Sequence, residues 1–108
     1  MNYFNEGNKS YNNKDYKKAA ENQENGACSY YNSGVCFIKL KEYDKAIIML
    51  KKAIEIQKES KYYFNLGYAY AMLDEKGKAL INFNMAWALN NEDEDCRRAI
   101  NLITSKIS

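Results

Sequence analysis

Gly34 and Gly67 lie 33 residues apart, as do Ala46 and Ala79, and Ala53 and Ala86. Self-similarity at a fixed period of this size restricts a chain to architectures in which one supersecondary unit is laid beside the next. The type of unit follows from the residues between the markers. Ala46, Ile47, Leu50, Ala53, Ile54 and Ile56 recur mostly at three- and four-residue steps, which is the spacing of an amphipathic helix. Proline is absent from the 108 residues and glycine occurs five times, so the two helix breakers are nearly missing. The expected fold class is all-α.

The bulk properties exclude several function classes. A hydrophobic fraction of 46% with a net charge of +2 argues for a folded chain of one domain. The lysines are interspersed with acids and make no basic stripe, so nucleic acid is not an expected partner. No apolar run approaches the ~20 residues of a membrane helix, and Met1–Glu6 lacks the features of a signal peptide. Histidine is absent, which removes Ser-His-Asp, Cys-His and histidine metal chemistry. Cys28, Cys36 and Cys96 are odd in number and match no metal spacing, so reduced thiols in a cytoplasmic protein are expected. Cys36 and Cys96 read as core residues and Cys28 as an exposed linker residue. No catalytic residue, metal or cofactor is expected.

The stretch Tyr63–Leu89 carries a more specific pattern. Tyr63, Leu66-Gly67 and Tyr70 fall at three-residue steps, and Ala79, Phe83 and Ala86 follow on a second segment. The chain resembles the tetratricopeptide repeat family, whose helix-turn-helix unit reads W-x2-L-G-x2-Y followed by A-x3-F, with Tyr63 in place of Trp. The resemblance implies a helix-turn-helix solenoid of about three repeats plus a C-terminal capping helix. Repeat 1, shortened and degenerate, covers 1–26; repeat 2 covers 27–59, repeat 3 covers 60–91 and the capping helix 92–108. Ser29 and Ser60 are expected to cap the first helices of repeats 2 and 3. Lys41–Asp44 and Asp74–Gly77 are expected to turn the chain. Asn91 should cap the last helix with Glu94 at the capping-box position, and Cys96, Ala99, Ile100, Ile103 and Ile107 should form its apolar stripe.

Gly7 to Gly34 is only 27 residues, about seven short of the family period, and the shortfall lies between Ala19 and Gly34. Either the second helix of repeat 1 stops at Asn25-Gly26, or it runs into the next helix and repeat 1 pairs with another chain. The poor helix residues Asn22, Asn25 and Gly26 favour the first outcome.

The family likeness further implies a non-catalytic role. The first helices would line a concave groove that binds a peptide or helix of another protein. Groove-facing positions would be Phe4, Asn5, Asn8, Tyr11 and Asn12 in repeat 1. In repeat 2 they would be Tyr31, Asn32, Val35, Ile38 and Lys39, and in repeat 3 Lys61, Phe64, Asn65, Tyr68 and Met72. Flat rings supply contact area, and amides both donate to and accept from a peptide backbone. A carboxylate clamp of the co-chaperone kind would match Asn8, Asn32 and Lys61, but Phe4 and Asn65 carry no charge where it needs cations. The alternative function is self-association as a homodimer, swapped through the irregular first repeat.

Overall fold

The computed structural model describes residues 26–107, with side chains to residue 105. These residues form five α-helices: α1 (Gly26–Lys39), α2 (Tyr43–Ile56), α3 (Ser60–Met72), α4 (Lys76–Leu89) and α5 (Glu94–Ile107). No strand occurs among the described residues. The chain divides into two compact units between Gln57 and Lys58. The shortened first repeat lies outside the described residues. So does the question of whether the helix before Gly26 ends or continues.

In the first unit α1 packs on α2. Gly26 faces Ile56, Gly34 faces Leu50 and Phe37 faces Lys45, so contacts descend α2 as they ascend α1 and the pair is antiparallel. Ala27, Cys36, Ala46, Leu50 and Ala53 are fully or almost fully buried. The closest approach is at Gly34, where an added Cβ would stand 2.7 Å from Leu50 Cγ. A first-helix glycine therefore seats a large second-helix side chain directly on backbone.

The second unit repeats this design with a larger residue. A Cβ on Gly67 would meet Phe83 Cδ1 at 2.8 Å and the Ala79 carbonyl oxygen at 3.1 Å. Phe83 occupies the register of Leu50, and its ring also packs on Phe64 with centroids 5.5 Å apart. Tyr62, Tyr63, Leu66, Ala69, Tyr70, Ala79 and Ala86 complete the buried set. The Ser60 hydroxyl donates to the Ala86 carbonyl at 2.9 Å, one of the last carbonyls of α4, which Asn90 N–H also reaches. Against α4 lies α5, whose Cys96 thiol donates to the Phe83 carbonyl at 3.1 Å.

Both hairpin turns use one device. Glu42 N–H bonds the Phe37 carbonyl and Lys41 N–H that of Ile38; Glu75 N–H bonds Tyr70 and Asp74 N–H bonds Ala71. These are the paired bonds of a Schellman motif, which requires a left-handed residue just past the helix. Lys41 and Asp74 fill that place, each at φ 61°. The next helix then starts with a carboxylate–lysine–ring stack. Lys45 bonds Glu42 at 2.8 Å and lies over Phe37; Lys78 bonds Glu75 at 3.3 Å and lies over Tyr70. Exposed ion pairs of this kind contribute little alone, about 0.2–1 kcal/mol, but the shared geometry fixes where the second helix begins.

Several local expectations need correction. Ser29 is not a cap: it is buried within α1, three residues past Gly26. Cys28 is exposed as expected but sits in α1 and not in a linker. Ser60 is the first residue of α3, after Glu59, because its hydroxyl is committed to Ala86. The turns fall earlier than expected, at Leu40–Lys41 and Leu73–Asp74, so Asp44 and Gly77 are already helical. The cap of α5 is Asp93 and not Asn91: Asp93 Oδ1 accepts from Asp95 and Cys96 N–H at 3.0 and 3.3 Å. Glu94 turns forward to Arg97 instead of back to a capping box. Cys96 and Ile103 are buried and Ala99 and Ile100 half-buried, as the stripe requires, whereas Ile56 of α2 is 56% exposed.

Gly67→Ala should destabilise the chain by about 1–3 kcal/mol through overpacking against Phe83. Gly77→Ala, whose Cβ meets nothing within 4 Å, should stabilise by about 0.5 kcal/mol. Thermal melts of the two variants check the pair. Lys41→Gly should stabilise by up to about 1 kcal/mol by relieving left-handed strain, partly offset by the entropy of the unfolded chain. A denaturant titration would show it. A thiol reagent should titrate Cys28 alone in the native protein, with Cys36 and Cys96 reacting only on unfolding.

Candidate functional site

On α1 and α3 the helix period places matching residues in a line facing away from the glycine contact. Cys28, Asn32, Val35 and Lys39 lie on one stripe of α1, and Lys61, Asn65, Tyr68 and Met72 occupy the same register on α3. Tyr31 and Phe64 flank the two stripes at equivalent positions. Neither helix contains an Asp or Glu. Each stripe therefore presents amide, apolar and ammonium groups but no carboxylate.

The expected residues differ in how much surface they offer. On α3, Lys61 is exposed, Tyr68 is 39% exposed and Met72 49%, while Asn65 and Phe64 are half-buried. The Asn65 amide donates to the Lys61 carbonyl at 2.8 Å, which fixes its orientation. Phe64 spends part of its ring on Phe83. On α1, Tyr31, Asn32 and Ile38 are half-buried and Lys39 is exposed. Val35 is buried and offers the least surface of the five. The Asn32 amide lies 3.8 Å from Cys28 Sγ, the counterpart of the Asn65 contact one repeat earlier. Phe4, Asn5, Asn8, Tyr11 and Asn12 lie outside the described residues.

A third stripe is one that sequence reasoning misses. Tyr30, Tyr63 and Cys96 are spaced by 33, and so are Phe37, Tyr70 and Ile103. Thus α5 covers α4 and also stands in the register of a first helix. The positions matching Lys61, Phe64, Asn65, Tyr68 and Met72 are Glu94, Arg97, Arg98, Asn101 and Ser105, all exposed. The spacing is visible in the sequence, but the aromatic and glycine markers are replaced there by Cys96 and Ile100.

The electrostatics of this stripe are local. Arg97 bonds Glu94 at 2.6 Å and Arg98 bonds Asp95 at 3.2 Å. Hydrogen bonding and charge from Arg97 hold the Glu94 carboxyl below its ordinary range, and Glu94 in turn raises Arg97. A depressed carboxyl stabilises above its unfolded pKa and loses that contribution as pH falls through the folded one. For a group this exposed the effect is small. Burial, and then the charge of Asp93, push the Cys96 thiol up, so it stays protonated and able to donate to Phe83. Among the described residues no cluster of His, Cys, Asp or Glu could hold a metal, and no helix is long and apolar enough to cross a membrane. The arrangement offers contact surface and hydrogen-bonding groups.

Comparison with known proteins agrees with this geometry. The tetratricopeptide repeat family matches residues 27–60. No curated protein matches the sequence. Among solved structures, that of MamA superposes with a TM-score of 0.81 at 26% identity, over 87% of this chain and 56% of MamA. The TPR domain of Arabidopsis OM64 gives 0.85 at 23% identity, over 95% of this chain and 84% of that domain. YrrB, described as a TPR protein with an unusual peptide-binding site, gives 0.82 at 24% identity, over 97% and 54%. The chain thus spans a little over half of the MamA and YrrB chains. Tetratricopeptide repeats are protein-interaction modules; residues 27–60 match that repeat, and the chain shares the all-α fold of these solved structures.

Proposed function

We propose that the chain is a non-catalytic binding module that takes a peptide or a helix of another protein along the faces of its first helices. The observation that carries this reading is the α3 stripe, where Tyr68 and Met72 keep 39% and 49% of their surface in water beside the Asn65 amide and Lys61. Exposed aromatic and methionine side chains next to amides suit a polypeptide, since the rings supply area and the amides pair with its backbone. The peptide-binding site named for YrrB supports the same mode of action. Arg98 and Asn101 would contribute from α5, and Tyr31, Asn32, Ile38 and Lys39 make the matching face of the first unit. A cytoplasmic setting suits a partner of this kind, and it suits Cys28, Cys36 and Cys96, which form no disulfide. Self-association through the first repeat concerns residues outside those described.

The test is affinity capture from the source lysate, comparing the native chain with a Tyr31→Ala/Tyr68→Ala double variant. Removing two contact aromatics should reduce retention of the partner by about tenfold or more, with helicity by circular dichroism unchanged. Equal retention by both proteins would show that these faces are not the binding surface.

A further inference from the structure

The second helices carry a matched outer stripe whose chemistry changes between the two units. On α2 the exposed positions are Ile48, Lys51, Lys52, Glu55 and Ile56. The register-equivalent positions on α4, each 33 later, are Ile81, Asn84, Met85, Ala88 and Leu89, and all are exposed too. Ile81 is 63% exposed, Met85 40% and Leu89 49%. Scattered surface apolar residues are ordinary, but here the three charges of one repeat are replaced together by an amide, a thioether and a methyl. From Ala79 to Leu89 the helix carries no charged residue. The spacing i, i+3, i+4, i+7, i+8 is that of a helix face made to pack on another helix.

We propose that this face of α4 binds the α4 of a second copy of the chain, antiparallel about a two-fold axis near Met85. A two-fold contact sets the same patch on itself, with the residues at the axis meeting their own copies, so a patch with lysines at its centre repels itself and a neutral one does not. The α2 stripe, with Lys51 and Lys52, fails that condition; the α4 stripe meets it. Ile81 of one copy then lies against Leu89 of the other, and Ala88, having only a methyl, lets the backbones approach. The flanks fix the direction. Lys78 precedes Met85 by seven residues, and α4 ends four residues after Met85, at Leu89, with Glu92 in the turn beyond. The antiparallel arrangement sets each Lys78 beside the other copy's helix C-terminus and the turn that carries Glu92, whereas the parallel one sets Lys78 on Lys78. Lys78 keeps its exposed pair with Glu75 at 3.3 Å, and such pairs exchange partners at little cost. The stripe is about 12 Å long. A single stripe of that length is too short to cover the ~800 Å² per partner of a standard interface, so the dimer is weak. This inference concerns the second helices and stands or falls separately from partner capture by the first.

Sedimentation equilibrium of the chain from about 10 µM to about 1 mM, the range in which mass action populates a weak dimer, reads the proposal directly. The weight-average mass should rise from 12.6 kDa toward twice that value. Met85→Lys and Ala88→Glu, both at exposed positions and checked for helicity, should each stay monomeric throughout. Ile48→Lys on α2 should associate as the native chain does. In a Cys28→Ser background, Ile81→Cys mixed with Leu89→Cys should yield the crosslinked heterodimer under oxidation. A native chain that stays monomeric at the highest concentration would overturn the proposal. So would association that survives both α4 variants, or crosslinking of Ile81→Cys only to itself.

Discussion

The described structure depends on two places where a side chain is pressed onto bare backbone. At Gly34 the occupant is Leu50, and at Gly67 it is Phe83. In each case a missing Cβ lets the antiparallel helices approach to a distance no other residue would allow. Everything nearby is arranged around that contact. Alanines take the neighbouring buried positions on the second helix, at Ala46 and Ala53 in one unit and Ala79 and Ala86 in the other. They leave room for the one large residue between them. The turn then has to deliver the second helix in the correct phase, and the left-handed residues Lys41 and Asp74 do this with paired carbonyl bonds. Because the side chain of the following Glu pairs with a Lys that lies across a first-helix ring, turn and helix start are fixed together.

The same contact explains how the second unit differs from the first. Phe83, in the register of Leu50, brings an aromatic ring against Phe64 and gives the second unit ring packing near its centre. The second unit also has two bonds that tie its parts together at helix ends. One runs from Ser60 to the Ala86 carbonyl and the other from Cys96 to the Phe83 carbonyl. Both bring a side-chain donor to a backbone carbonyl of α4. They link α3 and α5 to the same helix, which leaves the outward-facing sides of α3 and α5 available for other work.

Much of this is legible in the sequence because it rests on period and residue size. The Gly and Ala markers recur at one spacing, and that spacing alone identifies which residues meet and which face outward. Boundaries are less legible, for identifiable reasons. Serine is a favoured cap in isolation, but Ser60 has a better use for its hydroxyl, and Ser29 is small enough to be buried inside α1. The turns lie earlier than residue type suggests because Lys41 and Asp74 are not the glycines that a left-handed position normally advertises. The cap at Asp93 is hidden in a run of six acids and amides, Asn90 to Asp95, where only geometry separates one acceptor from the next. Of the candidate site, the outward register of Lys61, Tyr68 and Met72 on α3 is legible in the spacing, and all three are exposed. The α5 stripe is not legible, because its glycine position holds Ile100.

A glycine in the first helix and a large residue in the second form a single fitted unit, and the rest of each hairpin follows from that fit. A double-mutant cycle on Gly67→Ala and Phe83→Ala measures this most directly, since neighbouring residues that share a contact do not act additively. Truncating Phe83 removes the ring atoms that the added methyl would meet at 2.8 and 2.9 Å, so the methyl should cost less in that background. The double variant should then be more stable than the sum of the single effects by about 1 kcal/mol or more. Strict additivity would contradict the claim, because it would mean that the two positions do not press on one another.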